Sequence, residues 1–294
     1  MHDAAYYIQL LLSGVTVGSL YALIAIGYTM VYGILRLINF AHGDIFMMAG
    51  FFMVYMSASM PLAVSIPLVL ILTTILGVVI EKAAYSPLRT APRMSVMISA
   101  IGVSYLLQNL APYIGVIPRA YPDTPFLTQV MQMGSLSVKR ITIVTPILTI
   151  VLVVILVILI QKTKIGMAMR AVSRDFETSQ LMGIKINSVI SMTFAIGSFL
   201  AGVGSILYFT NYTTVIQTSG SMPGLKAFVA AVFGGIGSIP GAVIGAFIIG
   251  ICESFIKANE NIAVFSNAFT FALLIIILLC KPNGLFGEKL TEKV

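Results

Sequence analysis

The stretch LINFAHGD, residues 37–44, places Asn39, His42 and Asp44 close together between two long apolar runs. A histidine imidazole ordinarily changes charge near neutral pH, so these side chains are candidates for a proton relay or a solute contact. The same residue types also break helices. Gly43 eases a turn, Asn39 can satisfy backbone groups that the turn frees, and Asp44 directly precedes an apolar run, as an N-cap does. Few ionisable residues accompany them in the apolar runs, which favours a helix break lining a pathway over a chemical role.

A second polar pair, Gln108 and Asn109, lies inside an apolar run and must face protein or water rather than lipid. The two cysteines, Cys252 and Cys280, each lie in an apolar run, and we interpret both as small buried hydrophobic residues. The sequence has two histidines, no Ser-His-Asp arrangement and no metal-ligand spacing. We therefore predict no catalytic residues, no metal and no cofactor, and a membrane-embedded enzyme is strongly disfavoured.

The composition is that of a membrane protein. The 294 residues are 59% hydrophobic and 9% charged, with a mean hydropathy of +1.03, whereas soluble domains carry about 25% charged residues. Such a chain cannot cover its surface in water, so its surroundings must be mostly lipid. We predict an all-α, polytopic membrane protein in which residues 1–294 form a single transmembrane domain.

Apolar runs of roughly 20 residues are long enough to cross a bilayer as helices. The candidate segments are 8–32, 45–60, 62–81, 94–117, 141–161, 190–210, 223–234, 239–256 and 262–280. The segment 223–234 is too short to cross alone, so with 239–256 it predicts a broken or re-entrant helix. The chain then has seven spans if this pair is re-entrant and nine if both segments cross.

The distribution of basic residues predicts the orientation, because cytoplasmic loops are enriched in Lys and Arg. Most of the 17 basic residues fall at Arg36, in 82–93, in 162–189 and in the C-terminal tail, which we assign to the cytoplasm. The N-terminus then lies outside and the C-terminus inside. The remaining basic residues lie on the outer side: Arg119, Lys139, Arg140, Lys226 and Lys257. Because they are scattered among short connections, the net charge of +7 does not indicate nucleic-acid binding.

Glycines at helical spacing predict close helix packing. Gly14 and Gly18 form one ridge of small residues, and Gly237, Gly241 and Gly245 form another. The second stretch, GGIGSIPG, also invites comparison with a phosphate-binding loop. It lacks the GK[ST] ending, so it has no lysine to reach phosphates, and we reject nucleotide binding there.

The predicted cytoplasmic loop 162–189 has the pattern of a short helix. Ser173 can cap it, Asp175 and Glu177 lie in its first turns, and Gly183 can close it. An apolar stripe at i, i+4 spacing is formed by Ala168, Val172 and Phe176. The pattern is typical both of a helix lying at the membrane interface and of a helix that docks on a cytoplasmic partner, and it does not separate the two.

Four stretches together resemble one known family. They are GVTVGSLYALIAIGYTMVYGILRLINFAHGDIFMMAGF, GMAMRAVSRDFETSQLMGIKI, GLKAFVAAVFGGIGSIPGAVIGAFIIGICES and the closing KPNGLFG. In this order they are similar to the permease subunit of bacterial ABC importers for branched-chain amino acids, of the LIV type and H-like. Two positions depart from the family's usual pattern: Phe176 stands where proline is common, and Ser179 where alanine is common.

This resemblance implies a transport subunit of the bacterial inner membrane rather than an enzyme. A periplasmic solute-binding protein would deliver leucine, isoleucine or valine near 118–140 and 211–225, and a second related permease would complete the pathway. Two cytoplasmic ATPase subunits would bind the coupling loop within 162–189 and use the ATP. The positions that match the family's coupling motif are Arg170, Asp175, Glu177 and Gly183.

Two alternatives stay open from the residues. Related permeases move urea, short amides or other amino acids, and little in the sequence of the pathway recognises a solute side chain. A stand-alone secondary transporter or channel would use LINFAHGD as a site at mid-membrane, with a half-helix such as 223–234 directed at it. The sparse charge inside the spans disfavours this second alternative.

Overall fold

The computed structural model describes residues 4–89, 91–114, 119–133 and 136–287. Residues 288–294 of the predicted inner tail and part of the connection 118–140 lie outside the described residues. The α-helices, in chain order, are α1 Ala4–Leu35, α2 His42–Ser59, α3 Leu62–Ile80, α4 Arg93–Ile114, α5 Pro125–Thr128, α6 Arg140–Lys162, α7 Lys164–Arg174, α8 Phe176–Leu181, α9 Ile186–Asn211, α10 Ser221–Gly234, α11 Ile239–Lys257 and α12 Ser266–Cys280.

Seven helices in the described part of the chain are long and apolar enough to cross a membrane: α1, α3 with its continuation to Leu88, α4, α6, α9, α11 and α12 with the turn before it. Their burial differs widely. In their most apolar 18-residue windows, 67% of α1 and 72% of α9 are buried, against 17% of α6 and 11% of α12. α1 and α9 therefore form the centre of the bundle, and α6 and α12 lie at its periphery. The prediction of an all-α polytopic fold with seven to nine spans is confirmed; the orientation stays a prediction.

Two further helices, α2 and α10, are enclosed by the bundle and begin inside it. The His42 ring lies against Gly27 of α1 and Gly197 near the middle of α9. Gly27 precedes the end of α1 by eight residues, so α2 begins about 12 Å below that end. The backbones of Gly43 and Gly220 are in direct contact. The N-terminal ends of α2 and α10 thus meet within the bundle, where only surrounding protein can tolerate such backbone breaks.

The predicted helix break near 223–256 lies between α10 and α11. Gly235 and Gly237 have φ of +111° and +98°, a conformation that side-chain-bearing residues rarely adopt. Gly241 and Gly245 then pack directly on the α10 backbone. The prediction for Gly237 was wrong: it lies in the turn, with no atom within 4 Å of a Cβ placed there. Gly237 has helical spacing to Gly241 only in the sequence, because α11 does not begin until Ile239.

The ridge at Gly14 and Gly18 brings α1 against α11. A Cβ added at Gly14 would lie 2.7 Å from the Ile251 Cα, and one at Gly18 would lie 2.7 Å from the Phe247 Cα. Neither position has room for a side chain at this spacing. The α1–α11 contact is the most extensive helix–helix contact among the described residues.

Short strands occur only in the connections of the described chain. β1 Arg119–Ala120 pairs antiparallel with β4 Thr214–Val215, and β2 Val130–Met133 pairs with β3 Leu136–Lys139. Next to β1, the Tyr121 ring packs on Phe209 with ring centroids 5.9 Å apart. Burial raises the pKa of the Tyr121 hydroxyl above its ordinary value. The β1–β4 pair joins the connection before α6 to the one before α10.

Candidate functional site

A polar cluster surrounds the start of α2. The Asn39 side-chain oxygen accepts from the Ala41 N–H at 3.1 Å and from the Tyr85 hydroxyl at 2.7 Å. The His42 N–H donates to the Asn39 carbonyl at 3.1 Å, so α2 begins at His42 rather than after Asp44. The prediction that Asp44 caps this helix was therefore wrong. The Asn39 side chain, rather than Asp44, accepts a backbone N–H at the start of α2. The Asp44 carboxylate, in the first turn, can therefore accept hydrogen bonds from other helices.

Asp44 instead links α2 to α4. Its carboxylate accepts from the Gln108 amide at 3.0 Å, and the same amide nitrogen donates to the Ser104 hydroxyl at 3.3 Å. Asp44 is 3% exposed, so the bond from Gln108 offsets part of a large desolvation cost. Asn109 does not join this cluster. It is exposed on another face of α4, where its amide donates to the Tyr105 carbonyl at 2.7 Å.

His42 is a packing residue in this arrangement. It is 2% exposed, its ring meets the Tyr28 ring edge to face with centroids 5.0 Å apart, and it fills the space left by Gly27. Its Nε2 and the Asn39 amide nitrogen have no hydrogen-bond partner among the described residues. The cluster as a whole holds the broken helix and supplies polar groups to the interior of the bundle.

A second polar cluster joins α1, α10 and α11. The Lys226 and Lys257 ammonium groups each lie 2.6 Å from Glu253 Oε1, and the Tyr21 hydroxyl donates to Oε2 at 2.8 Å. The side chains of Lys226 and Glu253 are 5% and 1% exposed, whereas that of Lys257 is 50% exposed. Lys226 lies inside α10, within the predicted segment 223–234, and its side chain is buried in the bundle.

A third polar cluster lies between the end of α3 and the start of α9. α3 continues through a π-helical turn, Glu81–Tyr85, and a 3₁₀ turn, Ser86–Leu88. The Arg89 guanidinium bonds to both the Glu81 carboxylate and the Asn187 side chain, and the Ser191 hydroxyl donates to Glu81 at 2.7 Å. This cluster fixes the start of α9 against the end of α3.

The loop 162–189 forms two helices rather than one. Thr163 caps α7 by accepting from the Gly166 N–H at 3.1 Å. Asp175 caps α8 by accepting from the Thr178 N–H at 3.0 Å. The prediction that Ser173 caps a helix was wrong, because its hydroxyl donates to the Arg170 carbonyl in the last turn of α7. The predicted stripe is also interrupted, since Ala168 and Val172 lie on α7 but Phe176 begins α8.

The four predicted coupling residues follow this loop from α7 to its end. The Arg170 side chain bonds to the Ile160 carbonyl of α6. Glu177 lies in the first turn of α8, where the helix dipole favours an acid. Gly183 has φ +82° and donates its N–H to the Gln180 carbonyl at 3.0 Å, so it closes α8. Arg170, Asp175 and Glu177 are exposed.

Within the described part of the chain, no group of three or more His, Cys, Asp and Glu side chains could hold a metal ion. The three polar clusters instead consist of hydrogen bonds and ion pairs between helices. Those interactions suit a helix bundle that must keep polar groups in its interior without exposing them to lipid.

The sequence matches the family described as the branched-chain amino acid transport system permease component over residues 10–278. This chain belongs to that family. The high-affinity branched-chain amino acid transport system permease protein BraD of Pseudomonas aeruginosa is 38% identical, with all of both chains covered. LivH of Escherichia coli strain K12, with the same description, is 38% identical over 98% of each chain. The ribose import permease protein RbsC of Haemophilus influenzae is 26% identical over 92% of this chain and 84% of its own. No solved structure matches the chain.

The family assignment confirms the resemblance seen in the sequence. With seven apolar helices in the part of the chain that the structure describes, this permease is a multi-pass protein of the inner membrane, and it works as one component of a transport system with partner subunits. The role of each site residue and the identity of the partners stay predictions.

The sequence reasoning missed the buried cluster of the permease at Lys226 and Glu253. Both residues lie in apolar runs on either side of the predicted helix break. If 223–234 and 239–256 are folded into an antiparallel pair about that break, Lys226 and Glu253 are offset by about 9 Å along the pair, which two long side chains can span. Opposite charges on the two arms of this predicted hairpin were therefore the feature of the sequence that could have predicted the ion pair.

Proposed function

We propose that this chain is the membrane-spanning permease subunit of an ATP-driven importer for the branched-chain amino acids leucine, isoleucine and valine. Two cytoplasmic ATPase subunits supply the energy, a periplasmic solute-binding protein delivers the solute, and a second related permease completes the pathway. The family and the transport systems to which its relatives belong support this assignment. The Lys and Arg distribution supports an orientation with α7 and α8 in the cytoplasm.

The observation that carries the proposal is the exposed apolar surface at the C-terminal end of α8. Met169 and Val172 are buried and anchor α7 to the bundle. Beyond them, Leu181 is 86% exposed and Met182 is 79% exposed. Apolar side chains grouped at the end of a bundle indicate a surface that another molecule covers. The ATPase subunit is the occupant that we propose.

The charge around this surface is mixed. Glu177 is exposed on the same short helix as Leu181, and Arg170 and Arg174 are exposed on α7. Anionic lipid attracts the basic side chains, and a protein can pair with both signs of charge. The charge therefore does not separate the interface-helix interpretation of 162–189 from docking on a partner.

The exposed face of α4 supports contact with the second permease. It carries the Asn109 amide together with Tyr105 and Tyr113, which are 63% and 90% exposed. An amide facing hydrocarbon is costly, whereas a neighbouring subunit can bond to it. We place the second permease against this face.

Reconstitution tests the proposal. The permease, its partner permease and the ATPase subunits are placed in proteoliposomes with the solute-binding protein outside. We expect concentrative leucine uptake that requires ATP and every subunit. Concentrative uptake by this chain alone, driven by a proton or sodium gradient, would instead establish a secondary transporter. ATP-driven uptake of urea or short amides without leucine would retain the importer and change the solute.

A further inference from the structure

A cavity of about 170 Å³ lies at the N-terminal end of α10, between α1, α9 and α11. Its polar side is formed by Lys226, Glu253 and Lys257, and three tyrosines, Tyr21, Tyr208 and Tyr212, line it as well. A cavity of roughly 150 Å³ holds a benzene molecule. The space therefore suits the head of a small organic molecule.

The charges around this cavity are not balanced. Two lysine ammonium groups face one carboxylate, and the lining contains no second acid among the described residues. Each ammonium has three N–H donors, and its ion pair with Glu253 uses one of them. Met222 and Pro223, in the first turn of α10, also line the space, so the positive end of that helix dipole adds to the excess. The cavity thus favours a ligand carrying a carboxylate.

The other side of the cavity is aromatic and aliphatic. The Tyr208 and Tyr212 rings stack with centroids 4.5 Å apart, and Val17, Leu20 and Met222 lie beside them. Tyrosine faces attract an ammonium group, and the aliphatic side chains can cover an apolar substituent. A carboxylate, an ammonium and an aliphatic side chain are the three parts of an aliphatic amino acid.

We infer that this cavity binds the zwitterionic head of an aliphatic amino acid during its passage through the permease. Lys226 and Lys257 hold the carboxylate, Glu253 keeps both ammonium groups in position, and the tyrosines face the substrate ammonium. This inference rests on the proposed function, and it places solute recognition inside the permease as well as in the binding protein.

Equilibrium binding of radiolabelled L-leucine to the complete detergent-solubilised transporter, without the binding protein, tests the inference. We expect Lys257→Met to weaken binding about tenfold to 100-fold, the effect of losing one charge-assisted hydrogen bond. Its side chain is half-exposed, so this change leaves the fold intact. Leucinamide, which lacks the carboxylate, should not compete. Lys281→Met, an exposed lysine outside the cavity, is the control and should bind leucine like the unaltered transporter.

The double variant Lys226→Met, Glu253→Gln separates binding from structure. It removes both buried charges together, so neither is left without a partner and the complex should fold. If the pair only supports the fold, this variant binds leucine normally, and the inference is overturned. Equal competition by leucinamide, or unaltered leucine binding by Lys257→Met, would also overturn it.

Uptake by the unaltered transporter separates the two proposals. If the unaltered transporter takes up leucine with ATP but one of the three overturning binding results is obtained, the inference is wrong and the proposed function stands. If the unaltered transporter takes up no leucine, isoleucine or valine, the proposed function is wrong, and the inference is wrong with it.

Discussion

Replacing Gly18 by alanine tests the close approach of α1 and α11. The new Cβ would lie 2.7 Å from the Phe247 Cα and 2.9 Å from the Ala246 carbonyl oxygen. Both are backbone atoms, so no side chain can rotate away to make room. To reach ordinary van der Waals distance, the two helices must separate locally by roughly 0.7 Å.

A separation of this size has a calculable cost. A gap of roughly 0.5–1 Å removes about a quarter to a half of the dispersion energy of each affected contact. Inserting one methyl group into a packed core costs about 1–3 kcal/mol. Because α1–α11 is the most extensive helix pair described, we expect a value near the upper end, about 3 kcal/mol. For a chain of this size the midpoint of thermal unfolding should fall by roughly 5 °C.

Thermal unfolding of the purified permease in detergent measures the effect. Gly102→Ala is the matched control, since Gly102 lies in α4 with no atom within 4 Å of its added Cβ. Alanine favours a helix over glycine by about 1 kcal/mol, so this control should unfold at the same or a higher temperature. Equal midpoints for the Gly18→Ala and Gly102→Ala variants would refute the packing argument.

Three further substitutions test the polar interactions. Asp175→Ala removes the α8 cap, at about 1 kcal/mol, and should reduce permease-stimulated ATPase activity, whereas Asp175→Asn should retain it; equal activities contradict the cap. Asp44→Leu removes the carboxylate acceptor of the Gln108 amide and leaves it only the 3.3 Å contact to the Ser104 hydroxyl, at about 1–3 kcal/mol, and should lower the unfolding temperature more than Asp44→Asn; the reverse order contradicts this. Glu81→Ala leaves Arg89 unpaired and should cost about 2 kcal/mol after allowance for solvent screening; an unchanged unfolding temperature contradicts it.

The long helices could be predicted from the sequence because each is one uninterrupted apolar run. The segments 141–161 and 190–210 correspond to α6 and α9 within a few residues. The break between α10 and α11 was also predictable, because Gly234, Gly235 and Pro240 interrupt the run. The long helices and this break depend on local composition, so they can be predicted from one sequence.

The interactions between helices could not be predicted in the same way. Asp44 was expected to cap α2 because it precedes an apolar run, but Asn39 satisfies the freed backbone and Asp44 bonds to Gln108, 64 positions away. Lys226 lies inside the predicted segment 223–234, where a lysine without a partner is costly. Glu253 on α11 offsets that cost, and this contact depends on how α10 and α11 pack.

Labelling of an introduced thiol tests the account most directly, because the whole mechanism requires α7 and α8 to face the cytoplasm. Leu181→Cys is placed in a chain whose Cys252 and Cys280 are replaced by alanine, and intact cells are treated with a membrane-impermeant maleimide. Val264→Cys, which is 84% exposed before α12, reports the opposite end of the bundle. We predict labelling of the Val264→Cys variant in intact cells and of the Leu181→Cys variant only after permeabilisation. Labelling of the Leu181→Cys variant from outside intact cells would contradict the account.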